Sequence, residues 1–228
     1  MPDRSADRRA PFVAARTVLV AGAGGAAGRA VAAALTDAGA RVIAVGSNAE
    51  RLEAVPAAAR YACDLTDRAA VTALAERVHA EHGPIDGLIH LVGGWRGGGG
   101  LAGQTDEDWD FLNSHVLTTL RHTTRAFNAD LLGSPAGRLA IVSSITVDAP
   151  TPGGANYASV KAAAETWTRA VGRGFAPPTA AQADLTAAAV IFVVRSLAGL
   201  EPELAAGVTA LWESPAASVN NTRVRLGD

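Results

Sequence analysis

Tyr157 and Lys161 stand four residues apart in the stretch "ANYASVKAAAE", residues 155–165. On a helix, positions i and i+4 share a face. An ammonium beside a phenol favours the phenolate and lowers a pKa that starts at about 10. Such a phenol can give a proton to a carbonyl oxygen, or take one back. The pairing is unusual for this chain: Lys161 is the only lysine among 20 basic residues, and there are only two tyrosines. Placed at random, a lone lysine would fall four after one of them in roughly 1% of cases. The plainer alternative, a buried tyrosine and a solvated lysine opening a helix, stays open on the pair alone.

A second string with chemical potential is "AGAGGAAG", residues 21–28. Gly22, Gly24 and Gly28, with Gly25 and Ala26 between them, let the backbone turn sharply and approach a pyrophosphate. The unsatisfied N–H groups and the dipole of the following helix favour an anion there. An ordinary tight strand-to-helix turn would use the same glycines, so position in the fold must decide. The five histidines form no metal set: His79 and His82 are three apart, and no carboxylate or cysteine pattern completes them.

The elements that must position these residues are legible as an alternation of β-rich runs and helical patterns. "TVLVAG" (17–22) is the first strand, leading into a helix that stops at Gly39. "RVIAVG" (41–46) is the second, with Asn48 as cap of the next helix. Further strands are expected at 59–65, 85–93, 137–144, 187–194 and in "TRVRL" near the end. Between them lie helices at 66–83, from Thr105 through about 132, at 155–174 and near 203–213. Thr105 opens its helix with a Thr-x-x-Asp start resembling a capping box. This pattern predicts a single α/β domain over 16–228: a Rossmann-type doubly wound parallel sheet of six to seven strands. Residues 1–15 read as a disordered tail.

Composition narrows the function classes. The chain has 228 residues, is 49% hydrophobic and 18% charged, and carries a formal charge of −2. No basic footprint for nucleic acid or an anionic membrane is present, and no apolar run approaches the ~18 residues of a span. One cysteine, Cys63, excludes an internal disulfide and fits a cytoplasmic setting.

Taken together, these strings resemble the short-chain dehydrogenases/reductases, from about Arg16 to Leu226. The family's TGxxxGxG is matched by Ala21-Gly22-xxx-Ala26-x-Gly28, and its YxxxK by Tyr157 and Lys161. The resemblance implies a catalytic serine thirteen residues before the tyrosine, which is Ser144. It implies Asp64 and Leu65 near an adenine, the backbone of Val92 and Gly93 along the cofactor, and Lys161 on the nicotinamide ribose. The expected activity is hydride transfer between NAD(P)(H) and a carbonyl or conjugated ring, with Tyr157 as acid/base. The long helix and the Tyr/Lys helix would pair with partners in a homodimer or homotetramer.

Four departures fall around the expected site. The family's NNAG reads His90-Leu91-Val92-Gly93, its helix asparagine aligns with Val116, and its Pro-Gly after strand six reads Val194-Arg195. Only about eight residues, "RSLAGLEP", replace its usual substrate lid. The fourth is the loop "GGWRGGGG", whose Gly-Gly-Trp locally resembles the dihydropteridine reductase branch. There Trp95 can stack on a planar ring and Arg96 can meet an anion or carbonyl; Arg195 is a further substrate candidate. A bulky or planar small-molecule substrate is therefore expected. For the cofactor, strand two ends in Gly46-Ser47-Asn48, with Arg51 further on and no carboxylate. NADP(H) is favoured over NAD(H), because nothing there repels a 2′-phosphate. Two rivals remain: a dinucleotide-binding scaffold without redox turnover, and a repurposed enzyme catalysing cyclisation or dehydration.

Overall fold

The computed structural model describes residues 12–176 and 185–227. Seven parallel strands form one sheet: β1 (Thr17–Ala21), β2 (Arg41–Gly46), β3 (Ala59–Ala62), β4 (Gly87–His90), β5 (Arg138–Ser144), β6 (Ala188–Val194) and β7 (Thr222–Arg225). Their order is β3-β2-β1-β4-β5-β6-β7. The chain therefore winds outward from β1 in one direction and from β4 in the other, and the reversal between them is where such sheets bind ligands. The central strands are near-continuous runs of Val, Ile, Leu and Ala because both faces are covered.

Period-2 alternation assigns each side chain to a layer. Val18, Val20, Val42, Ala44, Val190 and Phe192 pack toward α1 (Ala26–Asp37) and α7 (Glu201–Ala210). Leu19, Ala21, Ile43, Val45, Leu88 and Leu139 face the opposite layer. That layer holds α3 (Arg68–His82), α4 (Asp106–Leu112), α5 (Thr119–Gly133) and α6 (Ala155–Gly174). A short α2 (Ala49–Glu53) precedes β3, and a four-residue α8 (Ala216–Val219) precedes β7. The caps fall where the side chains predict. Asn48 Oδ1 accepts from Arg51 N at 2.9 Å, and Thr105 Oγ1 accepts from Asp108 N at 3.1 Å.

Several boundaries differ from the sequence reading. β3 ends at Ala62 and β4 at His90, because the chain leaves the sheet edge for the ligand-facing loops sooner than the apolar runs do. The long helix is not uniform: Asn113–Thr118 is a π segment joining α4 to α5, and Thr119 N–H reaches back to Ser114 O. Such bulges are frequent at functional sites. The segment between β6 and α7 is shorter than expected, residues 195–200. Of the expected tail, residues 1–11 lie outside the described residues. The chain is already packed at Val13, which is buried, and Ala15 N donates to Gly39 O at 2.9 Å.

Candidate active site

The turn after β1 is built around two close approaches. Gly22 has φ +85°, and a Cβ there would stand 2.8 Å from the Leu91 carbonyl carbon. A Cβ at Gly28 would collide with the Gly22 carbonyl oxygen. Only glycine lets the start of α1 seat against the turn while the turn seats against the end of β4. The N-cap of α1 is Gly25, with no side-chain cap and no acidic residue in the first turn beginning at Ala26. The first-turn N–H groups thus remain available to an anion. A hollow of about 110 Å3 beside them is lined by Gly22, Gly24, Gly25, Ser47, Asn48 and Arg51. Asn48 spends its carbonyl oxygen on the α2 cap, whereas the Arg51 guanidinium has no hydrogen bond or ion pair with any described residue.

Across the switch point, the carboxyl ends of β4, β5 and β6 enclose a larger cavity of about 410 Å3. Its walls include Val92, Gly93, Trp95, Tyr157, Lys161 and Arg195. Tyr157 and Lys161 project from the first two turns of α6, and the Lys161 nitrogen lies 5.7 Å from the phenol ring centre. Ser144, the last residue of β5, lies near enough to Tyr157 to act on its phenol pKa. Its oxygen accepts from Thr146 N at 3.2 Å and Thr146 Oγ1 at 3.0 Å, which leaves its own proton to donate.

The electrostatics differ from the simple expectation. Burial pushes the Tyr157 phenol above its ordinary value, and Ser144 pulls against this. The lysine is not what opposes burial. Lys161 is only 7% exposed, and Nζ donates to Val142 O at 2.9 Å. Burial drops its pKa to about 8, and the Glu165 carboxylate works in the other direction. Both members of the pair are thus shifted toward their neutral forms.

Glu165, one turn beyond Lys161 and 1% exposed, was not singled out from the sequence. It accepts from Ser143 Oγ at 2.7 Å and from Arg169 at 3.0 Å, and Arg223 of β7 lies 3.2 Å away. It is the only acidic residue in α6, and its i+4 spacing from Lys161 was the available signal. His90, where the family's pattern has asparagine, takes a structural place in the wall. It is 3% exposed and bridges the sheet to α5, with ring nitrogens 3.2 Å from Thr119 Oγ1 and 3.1 Å from Thr123 Oγ1. Burial first, and Lys161 second, lower its pKa to about 3, so it is a neutral ring in this wall.

Other expected residues fall elsewhere. Arg96 is turned away from the cavity: it pairs with Asp108 at 3.4 Å and lies over the Phe111 ring at 4.2 Å. The glycines around it let the chain bend outward, and the acidic first turn of α4 captures the guanidinium. Asp64 lines neither hollow; Thr66 N and Oγ1 both donate to its Oδ1, at 2.8 and 2.7 Å, which lowers its pKa. Leu65 is buried, and its carbonyl is 3.1 Å from His122 Nδ1. Val116 lies in the π segment and packs with Val160 and Ala164. His115 stacks on Phe111 with ring centres 4.1 Å apart. Among the described residues no cluster could hold a metal ion, and no helix is long and apolar enough to cross a membrane.

A glycine-bearing turn at the switch point, a Ser/Tyr/Lys set at the ends of β5 and α6, and an all-parallel seven-stranded sheet define the class. The chain belongs to the short chain dehydrogenase family, whose pattern it matches over residues 16–181. It is 30% identical over 165 residues to a 2,3-dihydro-2,3-dihydroxybenzoate dehydrogenase of Bacillus subtilis, covering 69% of this chain and 63% of that one. The chain thus spans less than two thirds of the length of the curated relatives it matches first. The ligand-free aldohexose dehydrogenase of Thermoplasma acidophilum superposes with a TM-score of 0.81 at 18% identity, over 96% of this chain and 94% of that one. An NADPH-bound short chain oxidoreductase of Pseudomonas aeruginosa, with an atypical catalytic center, gives 0.80 at 20% identity, over 92% and 94%. At these identities the likeness is one of fold.

Proposed function

We propose that the chain is an NAD(P)(H)-dependent oxidoreductase moving hydride between a nicotinamide and a carbonyl or ring carbon of a small molecule. The observation that carries this reading is Tyr157 beside a buried Lys161 at the wall of the larger cavity, with Ser144 at the end of β5 near enough to pull the phenol pKa down. The residues fit a dinucleotide: the bare N-terminus of α1 suits a pyrophosphate, and two hollows flank it on either side of the switch point. When bound, the nicotinamide supplies or accepts the hydride.

The chain's own residues do the rest. Ser144 donates to the substrate oxygen and holds it against Tyr157. The phenol, kept protonated by burial, gives its proton to that oxygen as negative charge develops there. Lys161, with a pKa of about 8, sits where it can return a proton. Trp95, 67% exposed on the cavity wall, offers a flat apolar face to a planar substrate. The cyclic substrate in the name of the Bacillus relative, and the Gly-Gly-Trp likeness to dihydropteridine reductases, support that shape. The unengaged Arg51 and the absence of a carboxylate beside Ser47 support NADP(H) over NAD(H). A homodimer or homotetramer through α5 and α6, in a reducing cytoplasm, belongs to the same reading.

A second reading, dinucleotide binding without redox turnover, draws on Val116 and on the short 195–200 segment. Titration with NADPH and NADH, followed by nucleotide fluorescence, tests both. NADPH is expected to bind more tightly, and Arg51→Ala to erase that preference. Binding of neither nucleotide would sink the proposal. Binding without oxidation of NADPH across a carbonyl panel, with Tyr157→Phe alongside, would leave the second reading.

A further inference from the structure

One cation of the cavity has no part in the chemistry above. Arg195 follows β6 directly and lines the cavity wall. In the β5/β6 register Ser144 is paired with Val194, so Arg195 is one residue past the partner of the proton-handling serine. With strands about 4.8 Å apart and a rise of about 3.3 Å per residue, its Cα is about 6 Å from that of Ser144. We propose that Arg195 recognises a carboxylate on the substrate, so that the cavity selects carbonyl or cyclic compounds bearing one.

The neighbouring arginines show why this one is different. Arg96 is held by Asp108, and Arg169 and Arg223 are held by Glu165. Arg195 is exposed and has no hydrogen bond or ion pair with any described residue. Among the described residues the cavity wall carries no carboxylate, and Lys161 and Arg195 are its two cationic side chains. Lys161 is committed to Val142 O, which leaves Arg195 as the fork open to an incoming anion. Leu91, Val92, Val142 and Leu197 on the same wall offer an apolar surface to the ring of such a substrate, while the exposed guanidinium meets its carboxylate. A flat substrate lying on Trp95 can then place its oxygen at Ser144 and its carboxylate at Arg195.

The shared chemistry is an oxyanion, and a nucleotide pyrophosphate is its other source; the short step from Ser144 favours the substrate. The inference rests on the redox reading for the word substrate, and the test separates the two. Benzoate and benzamide have the same ring and differ in charge. Their binding to the full chain would be measured by tryptophan fluorescence, with and without NADPH, for wild type, Arg195→Gln and Arg195→Lys. Wild type should favour benzoate by about tenfold or more. Arg195→Gln should bring the two probes level without changing NADPH affinity, and Arg195→Lys should retain part of the preference. Equal binding of both probes to wild type overturns the inference, as does a preference that survives Arg195→Gln. Weaker NADPH binding by Arg195→Gln with the benzoate preference intact assigns the arginine to the nucleotide and overturns it too. A benzoate preference that depends on Arg195 in a chain that binds no nucleotide would sink the redox reading and leave the anion site standing.

Discussion

Replacing Lys161 by methionine should make the protein more stable at neutral pH, and the gain should vanish in alkali. The lysine is almost wholly buried, and its pKa falls from 10.5 to about 8. A drop of that size corresponds to about 3 kcal/mol of folding free energy, since each unit is about 1.4 kcal/mol. Below pH 8 the ammonium is charged in both the folded and unfolded chains, and the folded state bears the whole cost. Between about 8 and 10.5 the folded chain releases a proton that the unfolded chain keeps, so this group's contribution to stability rises with pH. Above 10.5 both are neutral and the cost is gone. Methionine keeps the stem but forfeits the bond to Val142 O, a loss of about 1 kcal/mol. The net gain at pH 7 is about 2 kcal/mol, or about 4 °C in Tm for 228 residues. The assay is denaturant unfolding of both proteins at pH 7, 8, 9 and 10. Tyr61 and Cys63, whose pKa values burial raises, titrate in both proteins and cancel in the difference. A difference that stays constant from pH 7 to 10 would refute the reasoning. NADPH affinity should fall in the same variant, because a destabilising buried charge is kept where function needs it.

Gly28→Ala should weaken NADPH binding at least tenfold and cost about 2 kcal/mol, because α1 must back away from the Gly22 carbonyl; unchanged binding would show that the turn is not a nucleotide cradle. Gln104 pins the glycine loop to the start of α6, donating to Gly98 O, Gly100 O and Gly153 O at 3.0–3.3 Å and accepting from Asn156 N at 3.1 Å. Gln104→Ala should speed hydrogen exchange at Gly98 and Asn156 by about tenfold while global stability moves by no more than about 1 kcal/mol; equal loss at both levels would mean the loop unfolds only with the domain. Arg138, buried at the start of β5, donates to Leu211 O at 2.8 Å and Ser214 O at 2.9 Å, tying α7 and the turn after it to the sheet. Arg138→Met orphans these carbonyls and those of Gly137 and Thr186, at about 1.5 kcal/mol each, and relieves about 3 kcal/mol of charge burial, since burial lowers the guanidinium pKa from 12.5 to about 10; the net should be a cost of about 3 kcal/mol, or about 6 °C in Tm, and a Tm within 1 °C of wild type would contradict this.

The sheet was legible because most strands are short apolar runs, β1, β2 and β6 rich in valine, bounded by turn residues, and because strands alternate with helices. The glycine turn and the Tyr157–Lys161 spacing were legible for the same reason: both are local. What stayed hidden depends on chain segments far apart in sequence. Arg223 reaches Glu165 only because β7 lies parallel beside β6, a pairing that a four-residue, mostly exposed strand does not announce. The π segment carries no proline or glycine to mark it, and His90 finds Thr119 and Thr123 only once β4 and α5 are packed. Arg96 looked free because its flanking glycines say nothing of Asp108, twelve residues on. The same limit explains the misjudged electrostatics of the Tyr/Lys pair. Spacing reports which face two side chains share, not how deeply that face is buried. Depth turns out to dominate both groups, raising the phenol and lowering the ammonium. A phenol raised in this way suits proton donation better than proton removal.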